Sequence, residues 1–358
     1  MGAELYFLDA DFDLIAGPVE GFTSIVFSER YHETGTFSLR FPASLLPSIA
    51  DAVYVRTAAD PETGECLAGR IETLSSVDAE NGGCEMGGPL LECLLEDRLT
   101  EGAFTDSGEA TAVVLRTVTA NLRSSPVEVD ADGSAVIGES GTFGGEWENL
   151  GAWVRSVLRP YGASYAIRLR ESGGALVPVF RVIRGQDRSA EGSAQRAVFS
   201  GSYGNIFSVT VERDLSGVKN AVFVEGGDGV VEVVDHSAGA PARRELYRRA
   251  SDLKRADFDT EAAYRAALAL RGEMALAHYP EGLCVSAECD PDALPVYGRD
   301  YALGDVCDVA DERLGLSFGL RLTGVDTVWE GGGRLLCPFF GDEVLSVRET
   351  VRRMRKDG

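Results

Sequence analysis

The sequence has few of the residues and motifs on which enzymatic chemistry commonly depends. Histidine occurs only at His32, His236 and His278 in 358 residues, which limits the possible Ser-His-Asp arrangements. No G-x-S-x-G nucleophile elbow is predicted beside them, and Gly138-Glu139-Ser140-Gly141 is only a near match. The chain also lacks the G-x-x-x-x-G-K-S/T and G-x-G-x-x-G loops that hold phosphate groups. These absences predict a protein that is not an enzyme, with no catalytic or cofactor-binding residues and no cofactor.

Targeting signals and membrane spans are also missing from the sequence pattern. Met1–Leu8 has no basic leader and no long apolar core, so no signal peptide is predicted. No apolar run reaches the roughly 18 residues that are needed to cross a bilayer. The seven cysteines include no C-x-x-C pair, which favours buried, reduced thiols. We therefore expect a chain that is made and folded in a cytoplasm, with no membrane span.

Acidic residues greatly outnumber basic ones. The chain has 57 Asp and Glu against 34 Lys and Arg, and its formal net charge is -23. An acidic surface repels phosphate groups and anionic lipids, so we expect no stable nucleic-acid binding and no membrane binding. At roughly 100 to 200 residues per domain, the length predicts two or three domains.

Much of the chain has the two-residue alternation of β-strands. Leu5–Leu8 and Leu14-Ile15 flank the turn-like stretch Asp9–Asp13, which predicts a hairpin. Gly226–Gly229 and Gly331–Gly333 predict tight turns between later strands. Apolar residues that indicate further strands are Ile25, Phe27, Phe37, Leu39, Phe41, Val53, Val55, Leu67, Ile71, Tyr165, Ile167, Leu169, Val179, Phe180, Val182 and Val198. The later strands are predicted at 206–211, 218–224, 230–234, 320–328 and 335–339, and around 285 and 306.

Three stretches have helical spacing instead. The first is predicted to begin with Asp106 or Ser107 as its N-cap. The second keeps the i, i+3, i+4, i+7 spacing without a break and includes Trp153, which is therefore predicted to lie in the core. The predicted helices are 106–122, 150–161 and an Ala-rich helix at 259–279, with a mobile loop or short hairpin at 124–145.

Two groups of residues have part of the pattern of a metal site. They are Asp9, Asp11, Asp13 and Glu20, and separately His278, Cys284 and Cys289. The first group has the carboxylate spacing of a calcium loop, but Leu14 stands where such a loop requires glycine and no helices flank it. The second group matches no recognised zinc spacing and lacks a fourth ligand. We therefore predict a hairpin turn and ordinary core positions, and no metal site.

Residues 28–42, SERYHETGTFSLRFP, resemble the N-terminal signature of siphovirus tail proteins described as tail hub or tail-associated proteins. The matching positions of that signature are Tyr31, Gly35, Phe37, Leu39 and Pro42. Further segments that resemble the family are Gly69-Arg70-Ile71, Gly87–Leu91 with Arg98, Asn220–Gly226, Tyr301–Val306 and Arg321–Val325. Each segment is a short hairpin pattern, and their order along most of the chain carries the resemblance.

The resemblance implies an α+β, β-rich fold with two tail-tube-like β-barrel domains and α/β insertions. The implied domains are an N-terminal β-barrel at 1–104, an α/β domain at 105–200, a second β-barrel at 201–342 with a helical insertion near 259–279, and a basic C-terminal helix or tail at 343–358. It also implies a homotrimer that forms a pseudo-sixfold ring at the tail tip and continues the tail tube. The implied partners are the distal tail protein, the tape measure protein and a fibre. The expected location is the virion tail, after assembly in the host bacterial cytoplasm.

Charge and chain length add three expectations. An acidic lumen in such a ring would repel the DNA backbone and let it slide. The basic segment 343–358 either packs on its own domain or docks onto an acidic neighbouring subunit. Because the sequence ends at Gly358, soon after the last predicted strand, we expect the fibre or lysin to be a separate protein.

Two alternative functions remain open from the sequence. A cell-wall hydrolase of the tail tip would use a carboxylate pair within 105–200, with the two carboxyls within ~10 Å in a cleft and one raised pKa. A carbohydrate-binding module for the host surface would require exposure of Trp147, Trp153 and Trp329.

Overall fold

The computed structural model describes residues 4–78, 83–279, 282–311 and 316–341. The elements before residue 100 are β1 (Leu5–Leu8), β2 (Leu14–Val19), β3 (Ser24–Arg30), β4 (Thr36–Pro42), α1 (Leu46–Ile49), β5 (Tyr54–Thr57), β6 (Glu65–Cys66), β7 (Ala68–Arg70), β8 (Thr73–Asp78), β9 (Gly83–Pro89) and α2 (Cys93–Glu96). The middle elements are β10 (Ala103–Glu109), α3 (Ala110–Asn121), β11 (Glu128–Val129), β12 (Ser140–Glu146), α4 (Leu150–Leu158), β13 (Ala163–Ser172), β14 (Ala175–Arg184), β15 (Asp187–Arg188) and β16 (Val198–Ser200). The remaining elements are β17 (Ile206–Asp214), β18 (Ala221–Gly226), β19 (Val231–Asp235), β20 (Glu245–Ala250), α5 (Glu261–Leu276), β21 (Gly282–Cys289), β22 (Val306–Asp311), β23 (Leu316–Glu330) and β24 (Gly333–Gly341).

Strands predominate over helices, so the predicted α+β, β-rich fold class is confirmed. The predicted hairpin around Asp9–Asp13 is present as β1–β2, and the strands predicted at Ile25 and Phe37 pair with each other as β3–β4. In the second hairpin, Phe27 lies directly opposite Phe37, and their ring centres are 5.9 Å apart. These rings pack with Leu5 and Phe7 of β1 in one apolar core. The predicted basic tail at 343–358 lies outside the described residues.

One sheet runs across the molecule and joins the two halves of the chain. It has eleven strands, and its main path is β17-β21-β24-β23-β3-β4-β9-β8. The first four strands of this path come from the second half of the chain and the last four from the first half. The halves meet where β3 pairs antiparallel with β23, from Arg30 opposite Gly324 to Ser24 opposite Glu330. Arg30 also forms an ion pair of 2.7 Å with Asp326 across this junction.

The first predicted helix begins later in the structure than in the sequence prediction. Asp106 and Ser107 lie in β10, which pairs along its whole length with β12. The N-cap of α3 is instead Glu109, whose carboxylate accepts the N–H of Ala112 at 2.9 Å. The predicted cap was wrong because β10 is a polar strand whose partner, β12, begins only at Ser140. The segment 124–145 contains β11 and most of β12, and it also forms hydrogen bonds with the N-cap of α3.

The second predicted helix is confirmed, and its tryptophan is in the core. The side chain of Asn149 caps α4 by accepting the N–H of Ala152 at 2.9 Å. Trp153 is fully buried, and its indole N–H donates to the carbonyl of Gly144 at 3.0 Å. A buried indole requires such a partner, so this bond fixes α4 against β12.

A separate three-stranded sheet carries α5 on one face. Its central strand β18 pairs antiparallel with β19 and parallel with β20. The predicted turn at Gly226–Gly229 connects β18 to β19, and the predicted Ala-rich helix is α5. Tyr264 of α5 is fully buried in a core with Val222 and Val224. Within the described residues, none of the helices combines the length and the apolar character that a membrane crossing requires.

The apolar cores do not follow the predicted domain limits in a simple way. Leu91 and Leu95, from before residue 105, share a core with Val114 and Val157. The large sheet likewise takes strands from both ends of the chain. The predicted limits at 104, 200 and 342 stay predictions, as does the closure of each half into a barrel.

Candidate functional site

Two of the three histidines line one cleft, and three other basic residues line it with them. The cleft has a volume of about 650 Å³, and its basic residues are His32, Arg159, Lys219, His236 and Arg321. We call it the cationic cleft. These residues come from distant parts of the chain, namely the ends of β3 and α4, the approach to β18, the end of β19 and the middle of β23. No local motif in the sequence could have brought them together.

The side chain of Arg321 is held in one position on the wall of the cationic cleft. Its Nη1 donates to the carbonyl of Gly304 at 2.5 Å, and its guanidinium carbon lies 5.8 Å from the ring centre of Tyr31. Gly162, with a φ of +64°, allows the backbone to pass close to the guanidinium, since a Cβ there would lie 2.6 Å from Nη2. The guanidinium is therefore positioned by the fold before any partner arrives.

The positive potential of the cationic cleft acts on His32. Burial holds the pKa of His32 well below its ordinary value, and the nearby charges of Arg159 and Arg321 lower it further. Its Nδ1 is buried and has no hydrogen-bond partner within the described part of the chain. Nε2 of His236 is 3.0 Å from each carboxylate oxygen of Glu273. Among the described residues that line the cleft, Glu273 is the one carboxylate.

A second cleft, of about 330 Å³, holds charges of both signs. It lies beside β12 and α5, and its charged lining includes Glu146, Glu148, Asp252 and Arg271. Asp252 and Arg271 form an ion pair of 2.7 Å whose side chains are both largely buried. Burial raises the pKa of Glu148, against the opposing charge of Arg271. A carboxyl with a raised pKa in a cleft is one of the features that the hydrolase alternative requires.

A G-x-S-x-G spacing does occur in the sequence, at 315–319, contrary to the sequence prediction. Its serine, Ser317, lies within β23 opposite Ala310 of β22. A nucleophile elbow places its serine at a sharp turn from strand to helix. Ser317 therefore lies on a strand and does not have the geometry of a nucleophile elbow.

The two groups weighed as metal ligands lie in a turn and in strands or loops. Oδ1 of Asp9 accepts the N–H groups of Asp11 and Asp13 at 2.9 Å each, which closes the turn between β1 and β2. Cys284 and Cys289 are both buried on β21. Within the described ranges, no three His, Cys, Asp or Glu side chains are grouped so that they could hold a metal ion.

The three tryptophans differ in exposure. Trp147 is 60% exposed, whereas Trp153 is fully buried. Trp329 is partly buried and packs edge-on against Phe27, with the guanidinium of Arg334 5.6 Å from its ring centre. One exposed tryptophan does not form the aromatic platform that the carbohydrate-binding alternative requires.

The large sheet has two open edges. In the described part of the chain, β17 pairs only with β21 and β8 only with β9. Phe207 on β17 is 65% exposed and Leu74 on β8 is 49% exposed. Tyr203 and Leu294 are also exposed near the start of β17, where Asn205 donates to the carbonyl of Leu294 at 3.1 Å. Open strand edges with exposed apolar side chains are sites at which another strand can pair.

Comparison with known proteins gives one family and one fold. The model of the family described as Siphovirus ReqiPepy6 Gp37-like protein matches residues 4–342. The 43 kDa tail protein of prophage MuSo2 from Shewanella oneidensis is similar in structure, with a TM-score of 0.55 at 13% identity over 95% of this chain and 98% of that chain. The tail protein from Neisseria meningitidis MC58 has a TM-score of 0.57 at 13% identity, over 95% and 96% of the two chains. Prophage tail protein gp18 from Listeria monocytogenes EGD-e has a TM-score of 0.50 at 14% identity, over 99% of each chain.

At these identities the likeness to solved structures shows the fold alone. No curated protein matches this chain in sequence.

Proposed function

The chain belongs to the Siphovirus ReqiPepy6 Gp37-like family, and on this premise we propose that it is a structural protein of a non-contractile phage tail or of a prophage remnant of one. The family match confirms the resemblance to siphovirus proteins, and the fold is that of prophage tail proteins. We assign it the role of hub at the tail tip, where it connects the tail tube to distal or fibre proteins. Its partners in this role are the distal tail protein, the tape measure protein and a fibre, in a virion tail assembled in the host cytoplasm.

The path of the large sheet supports a homotrimeric ring. Each half of the chain supplies four consecutive strands to this path, and the halves join edge to edge at β3 and β23. Among the described residues, the β17 and β8 edges at opposite ends of the path have no further strand partner. A head-to-tail contact between the β17 edge of one copy and the β8 edge of the next repeats from copy to copy and closes into a ring when the rotation allows. Three copies that each supply two halves to the ring would give the proposed pseudo-sixfold symmetry.

The acidic charge is consistent with a lumen through which DNA passes. Carboxylates that line a tube repel the phosphate backbone, so DNA slides without binding. This part of the proposal requires an excess of acidic residues on the inner surface of the ring. A basic lumen in a structure of the assembled ring would contradict it.

The ring is tested by the mass of the protein in solution. Light scattering on a sizing column should give about three times the 38.3 kDa of one chain. Phe207→Lys places a charge on the β17 edge and should convert trimers to monomers. Val136→Lys is the matched control, because Val136 is 71% exposed but lies in the loop between β11 and β12. A wild-type monomer that stays monomeric after addition of its neighbouring tail proteins would contradict the hub assignment.

A tail-tip hydrolase is the alternative that a specific observation favours, namely the raised pKa of Glu148 beside the Asp252–Arg271 pair. If Glu148 acted as a general acid, purified protein would release soluble fragments from host cell wall and Glu148→Gln would abolish the release. We expect the wild-type protein to release none, as a structural protein would.

A further inference from the structure

The cationic cleft lies at one end of the junction between the two halves of the large sheet. His32 follows the last residue of β3, and Arg321 precedes the segment of β23 that pairs with β3. Gly341, the final residue of β24, also lines the cleft. The cleft therefore lies where these strands end or change partners.

The balance of charge in the cationic cleft is opposite to that of the whole chain. The chain has a net charge of -23, yet Arg159, Lys219 and Arg321 line the cleft together with Glu273 as the one described carboxylate. Glu273 already contacts His236. Neither Lys219 nor Arg321 has a carboxylate within ion-pair distance among the described residues, although acidic residues are abundant. A guanidinium or ammonium group without an internal carboxylate partner is suited to bind an external anion.

The fold also holds the guanidinium of Arg321, a hydrogen-bond donor, in one position on the wall of the cleft. Arg321 is held by Gly304, Tyr31 and the close backbone at Gly162, as described above, so little side-chain entropy is lost when it binds. Planar guanidinium groups pair well with carboxylates.

We propose that the cationic cleft binds the carboxylate side chains of an acidic segment of a neighbouring polypeptide in the tail. The proposal rests on the proposed function in one respect, since the assembled tail supplies that neighbour. A short acidic peptide suits the site better than DNA, because only its few carboxylates enter the cleft, whereas the net charge of -23 on the whole chain repels a long polyanion. The position of the cleft, where β3, β23 and β24 end or change partners, suits a partner that stacks on the end of the sheet.

The test uses the full chain and a fluorescent hexaglutamate peptide, with hexaglutamine as the uncharged control. Fluorescence anisotropy at low salt should show binding of hexaglutamate only, and the affinity should fall as salt is added. Lys219→Glu should weaken binding by about tenfold or more, since it replaces a charge-assisted contact with repulsion. Lys254→Glu changes the net charge by the same amount at an exposed lysine outside the cleft, and should change Kd by less than about twofold.

Further variants keep the test informative if one of them unfolds. Lys219→Gln removes the charge without adding repulsion, and Arg321→Lys keeps a charge but loses the planar fork. Both should weaken binding while the thermal midpoint shows that the chain is folded. Equal weakening by Lys219→Glu and Lys254→Glu would overturn the proposal, because it would show an effect of net charge alone. Inorganic phosphate that competes as well as hexaglutamate would also overturn it in favour of a small-anion site.

The result of the peptide-binding test can be distinguished from the result of the test for the hub. A trimer that does not bind hexaglutamate would remove the cleft proposal and leave the ring. Specific binding by a chain that never assembles would support the cleft and remove the hub.

Discussion

Arg168 on β13 and Glu29 on β3 form an ion pair of 2.6 Å, although 139 residues separate them in the sequence. The same guanidinium contacts Glu92 at 3.0 Å, and the hydroxyl of Tyr297 donates to Glu29 at 3.1 Å. All three charged side chains are largely buried. This cluster ties the large sheet to the middle part of the chain.

Removal of Arg168 should strongly destabilise the protein. Arg168→Met keeps much of the side-chain volume but leaves Glu29 and Glu92 as buried carboxylates without their cation. We expect a loss of about 3 to 5 kcal/mol in the free energy of unfolding, measured by urea denaturation. The control is Arg116→Met, which breaks a more exposed pair with Asp106 and should cost at most about 1 kcal/mol. Similar small losses of unfolding free energy in both variants would show that the Arg168 cluster does not hold the large sheet to the middle part of the chain.

The core around α4 should depend on Trp153. Trp153→Ala removes a fully buried indole and its bond to Gly144, and we expect a loss of about 3 to 5 kcal/mol. Trp147→Ala truncates a tryptophan that is mostly exposed, and should change stability by no more than about 0.5 kcal/mol. Chemical unfolding of the two variants under the same conditions provides the comparison. A reversed order would mean that Trp147 has the larger structural role.

Stability should fall on acidification because of His32. Its pKa in the folded chain is well below the ordinary value of 6.5, so below about pH 6.5 the unfolded chain takes up a proton that the folded chain does not. The stability conferred by neutral His32 is therefore present above that pH and decreases as pH falls toward the folded pKa, by at most about 1.4 kcal/mol per pH unit. His32→Gln should reduce the slope of unfolding free energy between pH 7 and pH 5.5.

Lys254→Gln, which alters a positive charge outside the cleft, serves as the control and should keep the wild-type slope. An unchanged slope in His32→Gln would refute the assignment of this pH dependence to His32.

Glu148 should have the opposite pH dependence. Burial raises the pKa of Glu148 in the folded chain above the ordinary value of 4.5. As the pH rises above 4.5, the folded chain therefore keeps the Glu148 proton after the unfolded chain has lost it. Ionised Glu148 therefore destabilises the fold above its folded pKa, and Glu148→Gln should be more stable than wild type at pH 7. The difference should disappear below pH 4.5. Thermal midpoints of the wild type and Glu148→Gln, measured from pH 7 to below pH 4.5, test this prediction. Glu148→Ala separates the loss of packing from the loss of charge.

Local patterns in the sequence predicted the elements whose buried face is visible as a regular spacing of apolar residues. The helical spacing of apolar residues that includes Trp153 predicted α4, because one face of that helix is buried along its whole length. β10 and β20 were missed since their residues are largely polar or exposed, and each is a strand only because a distant partner pairs with it. The cationic cleft was missed for a related reason, as Arg159 and Arg321 meet only in the folded chain.

The pairing of β3 with β23 has a consequence for how the chain is synthesised. Ser24 pairs with Glu330, so β3 leaves the ribosome long before its partner β23 has been synthesised. Contacts of such high sequence separation fold slowly, and an unpaired strand is prone to aggregation in the meantime. The nascent chain must therefore keep the free side of β3 protected until β23 emerges, and chains terminated before β23 should accumulate as insoluble protein.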